Sequence, residues 1–311
     1  MNNSSMPDGE TPYPKLSIVI RCRNEAQSLR KALAALRAQQ CDFAWEVVLV
    51  DNESEDESRK IAEELGARVV TISRREFSYG GAINLGVGQS RGELVMLLSA
   101  HALPIGSHFL SSAVEPFDDP KIAAVRCLLA SSPRQLEKWH QPKDIQYASA
   151  EEQRQAESGA AWVSEYPTAA CCVIRRAAWE EVKYDETLES NEDKLWASRV
   201  LARGYKIRCC AEAAWMYTRK YGRKDRLRRE TRQHLALYRI TGRAPLSLGK
   251  FCWLTVRAFL AAPLVAARYI VDNVAWNTCL ISIPWRARRA PRIGSFAEFD
   301  HHERTRIDSG A

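Results

Sequence analysis

Short apolar runs alternate with segments of helical periodicity along the first half of the chain. Four of these runs have the length and apolar character of buried strands: residues 16–21, 45–50, 67–72 and 94–98. Between the first two runs, Leu29, Leu33 and Leu36 recur at helical spacing, with Asn24 placed as the N-cap. This alternation predicts an α/β domain with a mostly parallel, Rossmann-like central sheet and flanking helices.

The same patterns continue, less regularly, to about residue 210. We predict further helices at residues 56–65, 80–89 and 191–203, the last ended by Gly204, and further strands at residues 121–129, 168–175 and 205–210. Residues 131–165 are polar and irregular. Long irregular stretches inside compact domains usually carry function.

Polar residues follow three of the predicted strands directly. They are residues 21–25, 51–54 and 99–101. The carboxyl ends of parallel strands meet at one edge of an open sheet, where ligands bind. We therefore expect the functional site of the chain at this edge.

The basic charge of the chain is concentrated in its last third. The net charge is +7, but residues 1–218 carry −5 and residues 219–311 carry +12. Charged residues and a proline interrupt the apolar segment 251–285, and its longest uncharged run, 273–285, is shorter than the roughly 20 residues that span a bilayer. We expect one or two amphipathic helices that lie on an anionic membrane surface or pack on the domain.

The composition and the cysteine pattern indicate the class of protein and its cellular compartment. Hydrophobic residues make up 46% and charged residues 27% of the 311 residues, as in ordinary globular proteins. The nine cysteines include no CxxC pair, and residues 1–14 lack the apolar stretch of a secretory signal, so we expect reduced cysteines and a cytoplasmic protein. We divide the chain into an N-terminal tail (1–14), an α/β domain (15–220) and a basic, partly apolar helical extension (221–311).

Several blocks, taken in their order and spacing, resemble the family 2 glycosyltransferases. They are residues 17–25, 48–56, 77–86, 91–99, 184–188 and 192–193, followed by Gly204 and Tyr205. The resemblance extends over residues 15–220, and its Phe-Ser-Tyr-Gly and Ser-Ala-His segments are similar to rhamnosyltransferase-like members. It implies a GT-A fold and an inverting enzyme that moves a sugar from a nucleotide-sugar donor to a hydroxyl of a glycan or lipid-linked acceptor, in cell-surface polysaccharide synthesis.

The resemblance also implies roles for individual residues. The expected donor-binding residues are Arg21, Arg23, Asn24, Glu25, Asp51, Asn84, Ser99 and His101. The expected catalytic residues are Glu192 and Asp193, with Asp193 as the general base that deprotonates the acceptor. Asp185 is expected to brace the loop in front of this pair.

Structural alternatives stay open for several of these residues. Asp51 would also serve as a helix cap, and Asn84 would also serve in helix packing. Trp162, Tyr166 and Trp196 are candidates for apolar walls around sugar rings, with core packing as the alternative for Trp196 on its helix.

The chain departs from the family pattern where the family has Asp-x-Asp, whose carboxylates hold a divalent cation. Here the segment is Ser99-Ala100-His101, and Tyr217 stands about where many members have a histidine ligand. An imidazole binds manganese-like ions, so we expect Mn²⁺ or Mg²⁺ at His101. The alternative is that the basic cluster at residues 219–223 neutralises the diphosphate.

Two alternatives to an enzyme are a nucleotide-sugar-binding scaffold and a nucleic-acid-binding protein. A non-catalytic nucleotide-sugar-binding scaffold fits the altered metal motif, but a scaffold needs no base, and Glu192 and Asp193 are retained. Nucleic-acid binding through the basic run 219–232 is disfavoured because the run lacks a recognised reading motif. We expect instead that the extension holds the enzyme peripherally at the inner face of the plasma membrane.

Overall fold

A nine-stranded mixed sheet forms the centre of the described chain. The computed structural model describes residues 13–130, 143–158, 161–218 and 222–242. The strands are β1 (Leu16–Cys22), β2 (Trp45–Asp51), β3 (Arg68–Thr71), β4 (Leu94–Ser99), β5 (Ala102–Pro104), β6 (Ile122–Leu129), β7 (Lys143–Ile145), β8 (Cys171–Arg175) and β9 (Lys206–Tyr217).

The strand order combines a parallel half with a mixed half. The order is β3-β2-β1-β4-β8-β6-β9-β5, and β7 also pairs with β9. The first four strands in this order are parallel, whereas β8 is antiparallel to both β4 and β6. The predicted α/β fold is confirmed, and the antiparallel strand in the middle of the sheet is an addition to it.

The helices between residues 26 and 201 flank the sheet, and a further helix follows the last strand in the chain. Those described are α1 (Ala26–Arg37), α2 (Ser58–Glu64), α3 (Tyr79–Gly88), α4 (Phe109–Val114), α5 (Ala150–Ala156), α6 (Ala161–Glu165), α7 (Arg176–Glu181), α8 (Glu192–Leu201) and α9 (Arg223–Thr241). In α1, the leucines of the predicted periodicity are all buried, and full burial of each contributes about 1.5–3 kcal/mol. The segment predicted to be irregular, 131–165, contains β7, α5 and α6 in its described part.

Glycines let α3 approach its neighbours closely. An added Cβ on Gly86 would lie 2.3 Å from a methyl carbon of Val19 on β1 and 2.9 Å from a methyl carbon of Val50 on β2. An added Cβ on Gly80 would lie 2.2 Å from the carbonyl oxygen of Asp185. Because no side chain intervenes, α3 reaches both the sheet and the segment that precedes α8.

The expectation that Asn24 caps α1 is wrong. Glu25 occupies the N-cap position and makes no side-chain capping bond. Asn24 has a left-handed backbone, with φ +52°, and its Oδ1 accepts a hydrogen bond from the Glu55 amide at 2.8 Å. Asparagine tolerates this conformation better than most residues, so Asn24 joins the loops that follow β1 and β2.

The last strand is longer than predicted. The strand expected at residues 205–210 extends to Tyr217, and its pairing with β6 jumps from Cys210 to Ala214. A bulge of this kind bends the strand that contains it. Beyond the bulge, Tyr217 lies opposite Ala102 on β5.

The chain divides into two compact units, Met1–Thr187 with Glu192–Lys220, and Leu188–Asn191 with Tyr221–Ala311. In the second unit, α9 ends at Gly242, whose φ of +68° is the left-handed conformation that favours glycine. None of the helices described is both long and apolar enough to cross a bilayer. The predicted amphipathic segment 251–285 lies outside the described residues.

Candidate active site

Three strand ends meet at one edge of the sheet, as predicted. β1 lies between β2 and β4, and Arg21 stands opposite both Val50 and Ser99. Asp51, the last residue of β2, stands opposite Cys22. Arg21, Asp51 and Ser99 thus share the carboxyl edge where open α/β sheets bind ligands.

Asp51 and Asn52 present buried acceptors at this edge. Asp51 is 2% exposed, and its Oδ2 accepts a hydrogen bond from the Ser54 amide at 3.2 Å. Within the described residues, neither Asp51 Oδ1 nor Asn52 Oδ1 has a hydrogen-bond donor. An unsatisfied buried polar group costs about 1–3 kcal/mol, so these oxygens favour a ligand that brings N–H or O–H groups. Because α2 begins only at Ser58, Asp51 does not cap it.

His101, Glu25 and Tyr217 lie together beside the end of β4. His101 Nδ1 is 3.5 Å from Glu25 Oε1, and both side chains are largely buried. The ring centroids of His101 and Tyr217 are 5.6 Å apart, because the pairing of β5 with β9 brings the two residues side by side. No group of three or more His, Cys, Asp or Glu side chains suited to a metal occurs in the described part of the chain.

The remaining strand-end residues are occupied by loop contacts or exposed. The Asn24 amide donates a hydrogen bond to Ser54 Oγ at 3.0 Å, and the Ser99 amide donates to the Ala170 carbonyl at 2.9 Å. Arg23 is exposed to solvent. The donor contacts expected of Arg23, Asn24 and Ser99 stay predictions.

Asn84 uses its whole side-chain amide inside the protein. Nδ2 donates to the Tyr184 carbonyl at 2.9 Å and to Glu186 Oε1 at 2.8 Å. Oδ1 accepts from Trp179 Nε1 at 2.9 Å and from the Tyr184 amide at 3.1 Å. Three of these bonds hold α3 against the segment before α8 and the fourth holds it against α7, as the packing alternative requires. The donor contact of Asn84 stays a prediction.

Asp193 lies in the first turn of α8, with Glu192 at the helix start as predicted. Asp193 Oδ2 accepts a hydrogen bond from the Ala169 amide at 2.9 Å, and Oδ1 accepts from the Lys194 amide at 2.8 Å. The residue is half-buried. A carboxylate oxygen has two lone-pair sites, so Asp193 can still accept a proton while both bonds are kept.

Glu192 is buried against Arg21. Glu192 Oε1 lies 3.6 Å from Arg21 Nη1, and Arg21 Nη2 donates to the Ala169 carbonyl at 2.6 Å. The pKa of Glu192 is raised to about 7: burial raises it most, the neighbouring Asp193 charge adds to the rise, and Arg21 opposes it. Arg21, expected to meet the donor, is therefore an internal partner of Glu192 in this structure, and its donor contact stays a prediction.

The aromatic candidates and Asp185 have structural surroundings. Tyr166 and Trp196 are each 1% exposed, and Trp196 stacks on Tyr184 with ring centroids 5.2 Å apart, so core packing is their role. Asp185 accepts hydrogen bonds from Thr187 and lies 3.6 Å from Arg199, which matches its predicted bracing role. The Trp162 side chain and residues 219–221 lie outside the described residues, as does the Arg223 side chain.

Sequence reasoning missed two contributors to the site, Ala169 and Lys194. Ala169 acts through its backbone, so no side-chain pattern points to it. Lys194 directly follows Glu192 and Asp193, and a cation beside two carboxylates is the signal that could have found it.

A known family matches the part of the chain that builds the sheet edge. Residues 17–183 match the model of the family described as Glycosyl transferase family 2, which is more than half of the chain. The matched residues include Arg21, Asp51 and His101 and end before Glu192.

Individual proteins agree with this match. The chain is 26% identical over 227 residues to the O-antigen chain rhamnosyltransferase of Salmonella typhimurium, covering 69% of the chain and 70% of the relative. It is 38% identical over 98 residues to an undecaprenyl-phosphate 4-deoxy-4-formamido-L-arabinose transferase of Pseudomonas syringae, covering 29% of each. Its fold is similar to that of a mannosyltransferase from Pyrobaculum calidifontis in complex with GDP-Man and Mn²⁺, with a TM-score of 0.60, 19% identity and coverage of 90% of the chain and 88% of the mannosyltransferase.

Glu192 should make the stability of the protein depend on pH. Its pKa is about 7 in the folded protein against 4.5 for an ordinary glutamate, so the folded state binds more protons between these values. The stabilising contribution of Glu192 is present below pH 4.5 and is lost as the pH rises through about 7. Glu192→Gln removes this contribution. Relative to wild type, the variant should become more stable in urea titrations as the pH rises from about 5 to about 8.

Glu189→Gln controls for the loss of one negative charge, because Glu189 is exposed. If the stability difference between Glu192→Gln and wild type stays constant across this pH range, the proton affinity of Glu192 does not change on folding.

Proposed function

The chain belongs to glycosyl transferase family 2 and has a GT-A fold, and on this premise we propose that it is an inverting enzyme with Asp193 as its general base. The sugar comes from a nucleotide-sugar donor and goes to a hydroxyl of a glycan or lipid-linked acceptor. The observation that carries the proposal is the half-buried Asp193 carboxylate, held by the Ala169 amide next to the end of β4.

The donor nucleoside binds at Asp51. Its buried Oδ1 lacks a hydrogen-bond donor within the described residues, as does Asn52 Oδ1. An N–H group of the base or a ribose hydroxyl supplies what these oxygens lack. The mannosyltransferase of similar fold was solved with a nucleotide sugar, GDP-Man, which supports a nucleotide-sugar donor.

The transfer reaction needs one proton acceptor and one stabiliser of negative charge. The acceptor hydroxyl oxygen attacks the anomeric carbon from the face opposite the diphosphate, and the bond between that carbon and the diphosphate oxygen breaks. Asp193 takes the hydroxyl proton, and the electron pair of the broken bond stays on the nucleoside diphosphate. The configuration at the anomeric carbon is inverted.

His101 and Glu25 are the residues that would hold a divalent cation. Their nitrogen and oxygen atoms are 3.5 Å apart. A nitrogen and an oxygen at this separation could both reach one divalent ion, whose bonds to such atoms are about 2.0–2.2 Å long. A bound cation supplies positive charge for the leaving diphosphate. The mannosyltransferase of similar fold contains Mn²⁺, which supports a metal of this kind.

The acceptor belongs to cell-surface polysaccharide synthesis. One relative is named for the O-antigen chain and another for undecaprenyl phosphate. Acceptor specificity lies in residues 131–165, where the sequence departs from regular patterning.

The extension at residues 221–311 holds the enzyme at the cytoplasmic face of an anionic membrane. Its described helix α9 contains seven basic and two acidic residues, and Arg226, Arg228 and Arg232 on it are exposed. Each such residue near an anionic leaflet contributes about 1 kcal/mol to binding.

Asp193→Asn should slow sugar transfer by about 10²–10⁴-fold, because the amide keeps the size of the side chain and cannot take the proton. Steady-state kinetics with the accepted nucleotide sugar measures this, and calorimetry should show unchanged nucleotide binding. Asp42→Asn, at an exposed position, is the matched control and should transfer sugar at the wild-type rate. Wild-type turnover in Asp193→Asn would remove Asp193 from the role of base.

His101→Ala should weaken Mn²⁺ binding and change the dependence of activity on the divalent ion. The wild type should prefer Mn²⁺ to Mg²⁺, because nitrogen ligands favour the softer ion. Electron paramagnetic resonance of Mn²⁺ with the nucleoside diphosphate reads binding directly, with His108→Ala at an exposed position as control. Activity that survives chelation, with an unaltered ion response in His101→Ala, would assign the diphosphate charge to the basic cluster at residues 219–223 instead.

The full chain should float with anionic vesicles at low salt. Replacing Arg226, Arg228 and Arg232 by Gln removes roughly 3 kcal/mol of attraction, which is roughly 10²-fold in membrane affinity. A chain ending at Ser247 should lose flotation altogether if the apolar part of the extension is the anchor. A full chain that stays in the aqueous fraction with anionic vesicles contradicts membrane binding.

A further inference from the structure

Lys194 is a buried cation beside the proposed base, and the reaction described above does not use it. The residue is 8% exposed. Its Nζ donates hydrogen bonds to the carbonyls of Tyr166 and Pro167 at 2.9 and 2.7 Å, while its backbone amide donates to Asp193 Oδ1. A buried charge is costly unless it is paired and hydrogen-bonded, and the two carbonyls compensate part of this cost for Lys194.

The carbonyls that Lys194 holds belong to the turn that carries the partner of Asp193. In this turn, the Ala169 amide donates to Asp193 and the Ala169 carbonyl accepts from Arg21. The next carbonyl, that of Ala170, accepts from the Ser99 amide at the end of β4. One short turn therefore connects Lys194, the base and the sheet edge.

The same turn is tied to the segment in which we place acceptor specificity. Tyr166 donates its hydroxyl proton to Glu157 Oε1 at 2.7 Å. Gln153 Nε2 donates to Glu157 Oε1 at 2.9 Å and to the Ser198 carbonyl on α8, also at 2.9 Å. The described part of the acceptor segment thus reaches α8 by two routes, through Gln153 and through the turn held by Lys194.

Charge adds a second effect to this geometry. Burial lowers the pKa of Lys194, while Asp193 and Glu192 on α8 and Cys172 on β8 oppose the shift and Arg126 on β6 adds to it. A cation in this position favours the ionised form of nearby carboxylates. It therefore offsets the repulsion between two adjacent carboxylates, one of which has to be ionised to act as a base.

We propose that Lys194 is a positioning residue that holds the turn at Tyr166 and Pro167 and so keeps the Ala169 amide and Asp193 oriented for proton transfer. The proposal rests on the proposed function of Asp193. It assigns to Lys194 two separable tasks, a hydrogen-bonding task at the turn and an electrostatic task at Glu192.

Three substitutions separate the two tasks. Lys194→Met removes both the donor and the charge, Lys194→Gln keeps a donor without the charge, and Lys194→Arg keeps the charge with a different shape. Lys206→Met is the matched control. Lys206 Nζ donates a hydrogen bond of 3.0 Å to Asp119, and this pair lies away from the site.

The first measurement is the pH dependence of kcat. Lys194→Met should lower kcat by about 10²-fold, as small misplacements of reacting groups do, with the donor KM unchanged. In the Met and Gln variants, the acid limb of the profile should move to higher pH, because the Lys194 charge that lowers the pKa of Glu192 beside the base is lost. Lys194→Arg should return the limb to the wild-type pH.

The second measurement needs no sugar transfer. Isotope-labelled carboxyl carbons report the titration of Glu192, faced by Asp193, Arg21 and Lys194, and its midpoint should rise in the Met and Gln variants but not in Lys206→Met. The proposal is overturned if Lys194→Met folds and keeps the wild-type kcat, acid limb and Glu192 midpoint. If Lys194→Met does not fold, the same result in Lys194→Gln overturns it. If the wild type transfers no sugar but the Glu192 midpoint still shifts in the variants, the electrostatic task of Lys194 stands and the proposed function is rejected.

Discussion

Two adjacent carboxylates, one of them buried, are stable in a folded protein only where cations and N–H donors compensate them. Here the compensation for Glu192 and Asp193 comes from Arg21 on β1, the Ala169 amide before β8 and Lys194 on α8. Arg21 and Ala169 come from other parts of the chain, so the surroundings of the pair are completed only when the sheet is assembled. The proposed base is therefore built onto the same strand edge as the proposed donor site.

Local patterns predict the parts of the structure that short stretches decide. The four apolar runs form β1 to β4, and α8 begins at Glu192 as expected. Gly204 follows α8 with φ +85°, as a glycine after a helix predicts. The shared edge of Asp51 and Ser99 follows from parallel pairing alone, because parallel strands end on the same side.

Local sequence patterns do not predict contacts between residues that are far apart in the chain. Arg21 donates a hydrogen bond to the Ala169 carbonyl, 148 residues away in the sequence. Its guanidinium, which was expected to bind the donor, therefore lies against Glu192. Asn84 bonds to Tyr184 across 100 residues in the same way. The insertion of β8 between β4 and β6 is a tertiary pairing of this kind. No spacing along the chain encodes such partners, since they depend on which segments the fold brings together.

Donor binding through Asp51 at the carboxyl edge of β1, β2 and β4 is the claim on which the other roles depend. Isothermal titration calorimetry with nucleoside diphosphates of different bases, in the presence of Mn²⁺, tests it most directly. One of these ligands should bind the wild-type protein, and Asp51→Ala should weaken that binding about tenfold or more, because a hydrogen bond to a charged group contributes about 1.5–3 kcal/mol. Failure of every nucleoside diphosphate to bind, or equal affinity in Asp51→Ala, would contradict this assignment.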